Sequence, residues 1–314
     1  MKCLYFFASL LIFTSCAMSD LETSALITEE QTEGKIFHAT IDNDESTTRV
    51  YIDENIHILW NAKDKITLFE GTTRNKQYQF MGEDGDNAGE FEFVKAGFGT
   101  GNDLNRYFAL YPYSSTTKYV YGEDEGVEDY IRYTMPDEQT YKESSIGENA
   151  NVMVAVTADL DDFDLRFRNV CSYLRVKLYG ADQTVGSVVF QGNNNEKIAG
   201  NFAITPVYGS TPQMRVMGTG TSITLNCKDG VKIGTSKENA TEFWLVVPPI
   251  ICSKGYKVTV NGFYGGSQTF EITSSRNFER NKYNTLTREL SITNSGSGMG
   301  VGGWGNGESV EGEI

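Results

Sequence analysis

From Lys35 to Ile292 the chain reads as short runs of alternating apolar and polar residues, separated by polar turns that often contain glycine. A period of two is the signature of a half-buried β-strand. KIFHATID sets Phe37, Ala39 and Ile41 against Ile36, His38 and Thr40. IHILW (Ile56–Trp60), KITLF (Lys65–Phe69) and KQYQF (Lys76–Phe80) follow, and GEFEFV (Gly89–Val94) places Phe91 and Phe93 on one face. RYFALYPY (Arg106–Tyr113) reads as a buried strand closed by Pro112, and IRYTMP (Ile131–Pro136) and NVMVAV (Asn151–Val156) complete a first group. Acidic loops such as GEDGDNAG and YGEDEGVED separate them. No segment keeps a helical period beyond about two turns.

The longest β signal is DFDLRFRNVCSYLRVKLYG, Asp162–Gly180. Phe163, Leu165 and Phe167 share one face; Leu174, Val176 and Leu178 share a face of opposite parity. The phase therefore slips by one residue near Asn169–Ser172, which requires a bulge, a bend or a change of sheet. A domain boundary is expected here. Beyond it lie SVVFQG, AGNFAITP, QMRVMG, SITLNC, EFWLVVPP, YKVTVNGFYG, SQTFEI and NTLTREL, whose spacing is that of a β-sandwich. The expected division is an N-terminal β-sandwich over 35–162, a C-terminal one over 163–292, and a Gly-rich tail over 293–314, all in an all-β chain.

The segment before Lys35 has a different character. Lys2 gives a positive start, Leu4–Phe13 is apolar, and small residues Thr14 and Ser15 lead into Cys16. This is the layout of a secretory signal, with an apolar run too short to span a bilayer. The cysteine directly after the small residues resembles a lipobox, although Phe13 stands where leucine is usual. The resemblance implies cleavage after residue 15 and acylation of Cys16, palmitate included, so that the protein is held to a membrane by acyl chains. Residues 16–34 are polar, acidic and aperiodic, as suits a flexible tether.

Charge and cysteine content narrow the functional classes. The net charge is −15, and loss of Lys2 with the signal makes it −16. Such a surface repels phosphate backbones, so nucleic acid is not an expected partner. After Cys3 and Cys16, the remaining Cys171, Cys227 and Cys252 have no metal spacing. They read as small buried strand residues, or as one disulfide and a leftover thiol.

Catalytic and metal motifs are weak. His38 and His57 are the two histidines, and no serine sits in a G-x-S-x-G setting. Asp84 and Asp86 match the first and third positions of a calcium loop, but Ala88 and Lys95 occupy the fifth and twelfth. Asp159, Asp161, Asp162 and Asp164 cluster near the expected boundary, with a solvated acidic turn as the simpler reading. No cofactor, metal or catalytic residue is assigned, and the chain is not read as an enzyme. The tyrosines at 111, 113, 119, 121, 130, 133 and 141 could stack on sugars or fill a core.

Several motifs taken in order carry a family resemblance. They are IFHATI, TTR (Thr47–Arg49), IHILWNAKDKITLFE, ALYPY, RNVCSYLRVKLYG, EKIAGNFAI, FWLVVPP, KYNTLTRELSI and the closing GWGNGESVEGEI. In order and spacing they resemble the fimbrillin-like (Mfa-like, FimA-like) surface lipoproteins of Bacteroides-type bacteria, across nearly the whole mature chain. The resemblance implies two tandem transthyretin-like β-sandwich domains, export to the outer membrane, and a role as a pilus (fimbrial) subunit or adhesin. It also implies assembly by strand addition: proteolysis after an arginine removes an edge strand, and a neighbour's strand fills the groove. Arg49 is the candidate processing site, and Arg74 is a second. The donor candidates are Leu286, Leu290, Ile292, Val301, Trp304 and Val310, unless Asn284–Ile292 is simply the last strand of the fold. The expected partners are other pilus subunits or further copies of the chain, a host or bacterial surface ligand, and the membrane through the lipid. The alternative is a monomeric surface protein that binds a glycan or host ligand.

Overall fold

The computed structural model describes residues 35–42, 58–97, 101–122 and 128–292, together with the main chain of Ser309–Glu313. The lead segment with Cys16 and the 16–34 tether, the segment with Arg49 and His57, and Val301 and Trp304 lie outside the described residues.

Among the described residues the fold is strands and turns, with one short 3-10 turn at Lys237–Asn239. The first half holds β1 (Phe37–Ile41), β2 (Lys65–Phe69), β3 (Asn75–Phe80), β4 (Ala88–Ala96), β5 (Phe108–Tyr111), β6 (Lys118–Val120), β7 (Tyr130–Met135), β8 (Glu138–Thr140) and β9 (Met153–Val156). The second holds β10 (Asp164–Asn169), β11 (Ser172–Tyr179), β12 (Thr184–Gly192), β13 (Gly200–Thr205), β14 (Gln213–Val216), β15 (Ser222–Lys232) and β16 (Thr241–Val247). It continues with β17 (Ile250–Cys252), β18 (Tyr256–Gly262), β19 (Ser267–Ile272), β20 (Arg276–Phe278), β21 (Lys282–Glu289) and β22 (Ser309–Glu313). No described helix is long and apolar enough to cross a membrane.

Seven strands close into a barrel in the order β1-β10-β9-β5-β2-β3-β4. Its interior is aromatic: Trp60 contacts the rings of Phe80, Phe91, Tyr111 and Phe167 at 5.1–5.7 Å between centroids. β1 pairs with β10 on one side and β4 on the other, so the described strands of this part leave no free edge. Further on, the sheet β16-β11-β21-β22 and the sheet β19-β18-β12-β15-β8 enclose a core of Leu174, Val188, Phe190, Phe243, Val258 and Leu286, among others. A third core, with Leu110, Ile131, Tyr133, Phe202 and Trp244, joins barrel strands to the sheet β14-β13-β7-β6 and to β16.

The phase slip resolves as a change of sheet. β10 closes the barrel, whereas β11 is central in the next sheet. Asn169 spans the crossover: its Nδ2 donates to the Cys171 carbonyl at 2.9 Å, and its Oδ1 accepts from the Cys171 amide at 3.2 Å. Sheet membership does not divide at 162. β10 lies beyond that residue yet completes the barrel, while β7 and β8 lie before it yet pair with β13 and β15. β8 also carries Gln139, whose amide donates to the Val246 carbonyl at 2.7 Å and accepts from the Val246 amide at 2.9 Å. That side chain occupies the place of a neighbouring strand beside β16.

Three local expectations are corrected. Ile58–Trp60 forms no strand; Trp60 makes a single bridge to Asp86 and its indole fills the barrel. The Arg106–Tyr113 strand is confined to Phe108–Tyr111, because Tyr107 donates its amide to Thr157 Oγ1 and Pro112 has no N–H to offer. YKVTVNGFYG is strand only as far as Gly262, where a turn begins.

Candidate functional site

The strand that bears on the expected strand addition is β1, which lies between β10 and β4. It is five residues long, with Phe37, Ala39 and Ile41 buried and His38 and Thr40 exposed. It runs parallel to β10, pairing His38–Ile41 with Asp164–Phe167, and antiparallel to β4, pairing Phe37–Thr40 with Phe91–Ala88. Main-chain bonds hold it on both sides, including His38 N–H to the Phe163 carbonyl at 3.0 Å and Asp42 N–H to the Phe167 carbonyl at 2.7 Å. Phe37 fills an aromatic socket, its ring centroid lying 4.9 Å from Tyr107, 5.4 Å from Tyr78 and 5.7 Å from Phe163.

Charged clamps sit at both ends of this strand. Before it, Lys35 Nζ donates to the Tyr107 hydroxyl at 2.6 Å and lies 3.8 Å from Glu70. That hydrogen bond is the main cause of the upward shift of its ammonium. After it, Arg168 makes two hydrogen bonds to Asp42 Oδ2, at 2.9 and 3.1 Å. Glu70 also accepts from the Tyr78 hydroxyl at 2.6 Å, so the Lys35 end belongs to a network rather than a lone pair. The slot offers a two-sided main-chain ladder, three inward side-chain positions of large, small and large size, and a charge at each end. Such an arrangement selects an extended strand by pattern.

The tail lies elsewhere. β22 pairs antiparallel with β21, Leu286 opposite Ser309 and Lys282 opposite Glu313, and so covers an edge of the second part of the fold. Val310 stands opposite Thr285 in that ladder. Leu286 and Leu290 are buried in this chain's own core and Ile292 packs against it. The first two are therefore committed to the fold, and their transfer to a partner would empty it. Arg74 is exposed, with its Nε donating to the Gly97 carbonyl at 2.6 Å. His38 is exposed on β1, 3.6 Å from Glu90.

The acidic loops spend their carboxylates on turns. Asp84 Oδ1 accepts from Ala62 N–H at 2.7 Å, and Asp86 Oδ2 from Glu83 N–H at 2.9 Å. Asp159 Oδ1 accepts from the amides of Asp161 and Asp162, at 2.9 and 3.1 Å. Asp64 is held above the usual carboxylate range mainly by burial, against the amide of Asn61 that bonds it. Cys171, Cys227 and Cys252 are free and buried, and burial pushes each thiol up to about 12. Of the flagged tyrosines, Tyr111 and Tyr133 are buried and the other five half-buried. The most exposed aromatic among the described residues, Tyr264, was not singled out by the sequence because it sits at the end of an alternating run.

No family model matches the chain, and no curated protein matches it in sequence. Among solved structures, a candidate cell adhesion protein of Bacteroides ovatus is similar, at 13% identity and a TM-score of 0.44, covering 81% of this chain and 91% of that one. A candidate cell adhesion protein of Bacteroides uniformis is similar at 14% identity and a TM-score of 0.43, covering 82% and 93%. A tip fimbrial protein of Porphyromonas gingivalis is similar at 8% identity and a TM-score of 0.32, covering 83% of this chain and 97% of that chain.

Proposed function

We propose that the chain is a non-enzymatic surface lipoprotein of the fimbrillin-like kind, a pilus subunit or adhesin that joins its neighbours by strand addition. In this reading Cys16 carries the lipid that holds the protein at the outer membrane. The two parts of the fold correspond to tandem transthyretin-like sandwiches. Cleavage after Arg49 frees β1, and a neighbour's tail takes its place between β10 and β4.

The observation that carries this reading is a match of pattern. The inward positions of β1 are Phe37, Ala39 and Ile41, large, small and large. The tail repeats that order in Val310, Gly312 and Ile314, with Glu311 and Glu313 at the outward positions held by His38 and Thr40. Two strands that can fill one slot by the same alternation are what an exchange requires. Head-to-tail repetition of such a contact does not close on itself and gives a filament.

The test is assembly of protein cleaved after Arg49. The expected result is a ladder that persists in detergent without boiling and disappears when residues 309–314 are deleted. Cleaved protein that stays monomeric, or a ladder that survives the deletion, would overturn the reading.

A further inference from the structure

The outer face of the sheet β19-β18-β12-β15 bears a regular array that strand addition does not use. Strand register aligns Ser267, Asn261, Ser187 and Asn226 in one row, and Thr269, Thr259, Val189 and Thr224 in the next. All eight are half-buried or exposed and uncharged; charge enters only at the margins, where the next row carries Lys257 opposite Glu271 and β8 brings Glu138, which accepts from Asn226 Nδ2 at 2.9 Å. Neighbours in the array are cross-linked: Thr259 and Thr269 hydroxyls lie 2.9 Å apart, and Asn261 Nδ2 donates to Ser187 Oγ at 2.8 Å. With strands about 4.8 Å apart, the four columns span roughly 14 Å.

The β18–β19 turn, at the Asn261–Ser267 end of the array, carries Phe263 and Tyr264, 42% and 73% exposed. The fold is built to hold them. Phe263 donates its amide to the Thr184 carbonyl at 2.9 Å, and a Cβ on Gly230 would lie 2.7 Å from its ring. Gly186 likewise passes close to the Phe263 backbone, at a bulge in β12 between Val185 and Ser187. Tyr264 then stands edge-on against Phe263 with centroids 5.2 Å apart, while Gly265 and Gly266, at φ +100° and +76°, return the chain to β19. Bulges are over-represented beside functional sites, and left-handed glycines let this turn hold an exposed ring in place.

We propose that this face and its aromatic tip bind a neutral glycan. The chemistry favours that occupant over others. Hydroxyl and amide groups both donate and accept, as sugar hydroxyls do, and the Tyr264 ring offers an apolar face for the C–H side of a pyranose. A protein partner would need an apolar centre, and Val189 is the single apolar residue of the eight. An anionic polysaccharide would meet Lys257 set against Glu271, Glu138 at the other margin, and an overall charge of −15.

The test is affinity electrophoresis of the folded protein in gels containing dextran, yeast mannan, xyloglucan or laminarin, with polygalacturonate as the anionic control. Retardation by at least one neutral polysaccharide and none by polygalacturonate is expected. Tyr264→Ala and Thr269→Glu, both on exposed side chains, should each weaken that retardation at least tenfold without changing the melting temperature. No retardation in any neutral gel, or retardation unchanged in both variants, overturns the proposal. The array shares no strand with the slot formed by β1, β4 and β10, so both variants leave that slot untouched and the two tests fail separately.

Discussion

Phe37→Ala isolates what holds β1 in its slot. The side chain is fully buried and bounded by the rings of Tyr78, Tyr107 and Phe163. Truncating a buried phenylalanine costs about 3–5 kcal/mol, and these edge-on aromatic contacts belong to that figure rather than adding to it. The main-chain ladder to β4 and β10 is left untouched, so the loss reports the side-chain socket alone. In the intact chain it appears as lower stability. If a specific protease site is placed within Asn43–Thr48 and cut, β1 becomes a bound peptide and the same loss becomes an affinity. At about 1.4 kcal/mol per decade, 3–5 kcal/mol weakens binding by roughly a hundred- to a few-thousand-fold. A fluorescent peptide spanning Lys35–Arg49, competed off the cut protein by unlabelled wild-type or Phe37→Ala peptide, measures the ratio. A ratio below about tenfold would mean that the slot holds any extended backbone and does not select a strand by pattern.

Three further outcomes follow from the structure. Gln139→Ala should destabilise the protein by about 2–4 kcal/mol in urea unfolding, because it removes two hydrogen bonds and orphans the buried N–H and C=O of Val246. A loss below about 0.5 kcal/mol would mean that water replaces the side chain. Burial raises Asp64, so its contribution is full below the ordinary aspartate range and is lost as pH rises through the folded-state value. The melting temperature of Asp64→Asn relative to wild type should therefore rise between pH 3.5 and pH 6.5, and a fall would contradict the assigned cause. The three thiols, raised to about 12 by burial, should resist iodoacetamide at pH 7.5 in the folded protein and react fully in guanidinium. Native labelling of any of them would place it at the surface.

What the sequence revealed, and what it hid, follows from how local each signal is. The alternation of Phe37, Ala39 and Ile41 with Ile36, His38 and Thr40 predicted the strand, because burial on one side of a sheet imposes a period of two on the residues themselves; which set is buried is seen in the fold. The parity change after Phe167 called for a bulge, a bend or a change of sheet for the same reason, and the fold contains the last of these. Strand partners are not local. Nothing in EQT indicates that β8 lies parallel to β15, or that Gln139 stands in for a strand beside β16. Barrel closure was hidden likewise, since β1 and β10 are joined by register rather than by proximity in the chain. IHILW looked like a strand because Trp60 is apolar, yet the indole fills the barrel from an irregular segment. Leu286 and Leu290 matched a donor pattern and a core pattern equally, and burial in this chain's own core distinguishes the two. For the polar array on β19-β18-β12-β15 no single strand gave a signal. Its regularity exists only once four strands are aligned.

If β1 is removed and a neighbour's tail fills its slot, assembled chains lack their first strand. The most direct measurement is the intact mass and N-terminal sequence of the chain recovered from assembled, detergent-resistant material on the cell surface. The expected chain begins at Val50, without Phe37–Ile41. Assembled chains that begin at an acylated Cys16 and retain β1 would contradict strand removal.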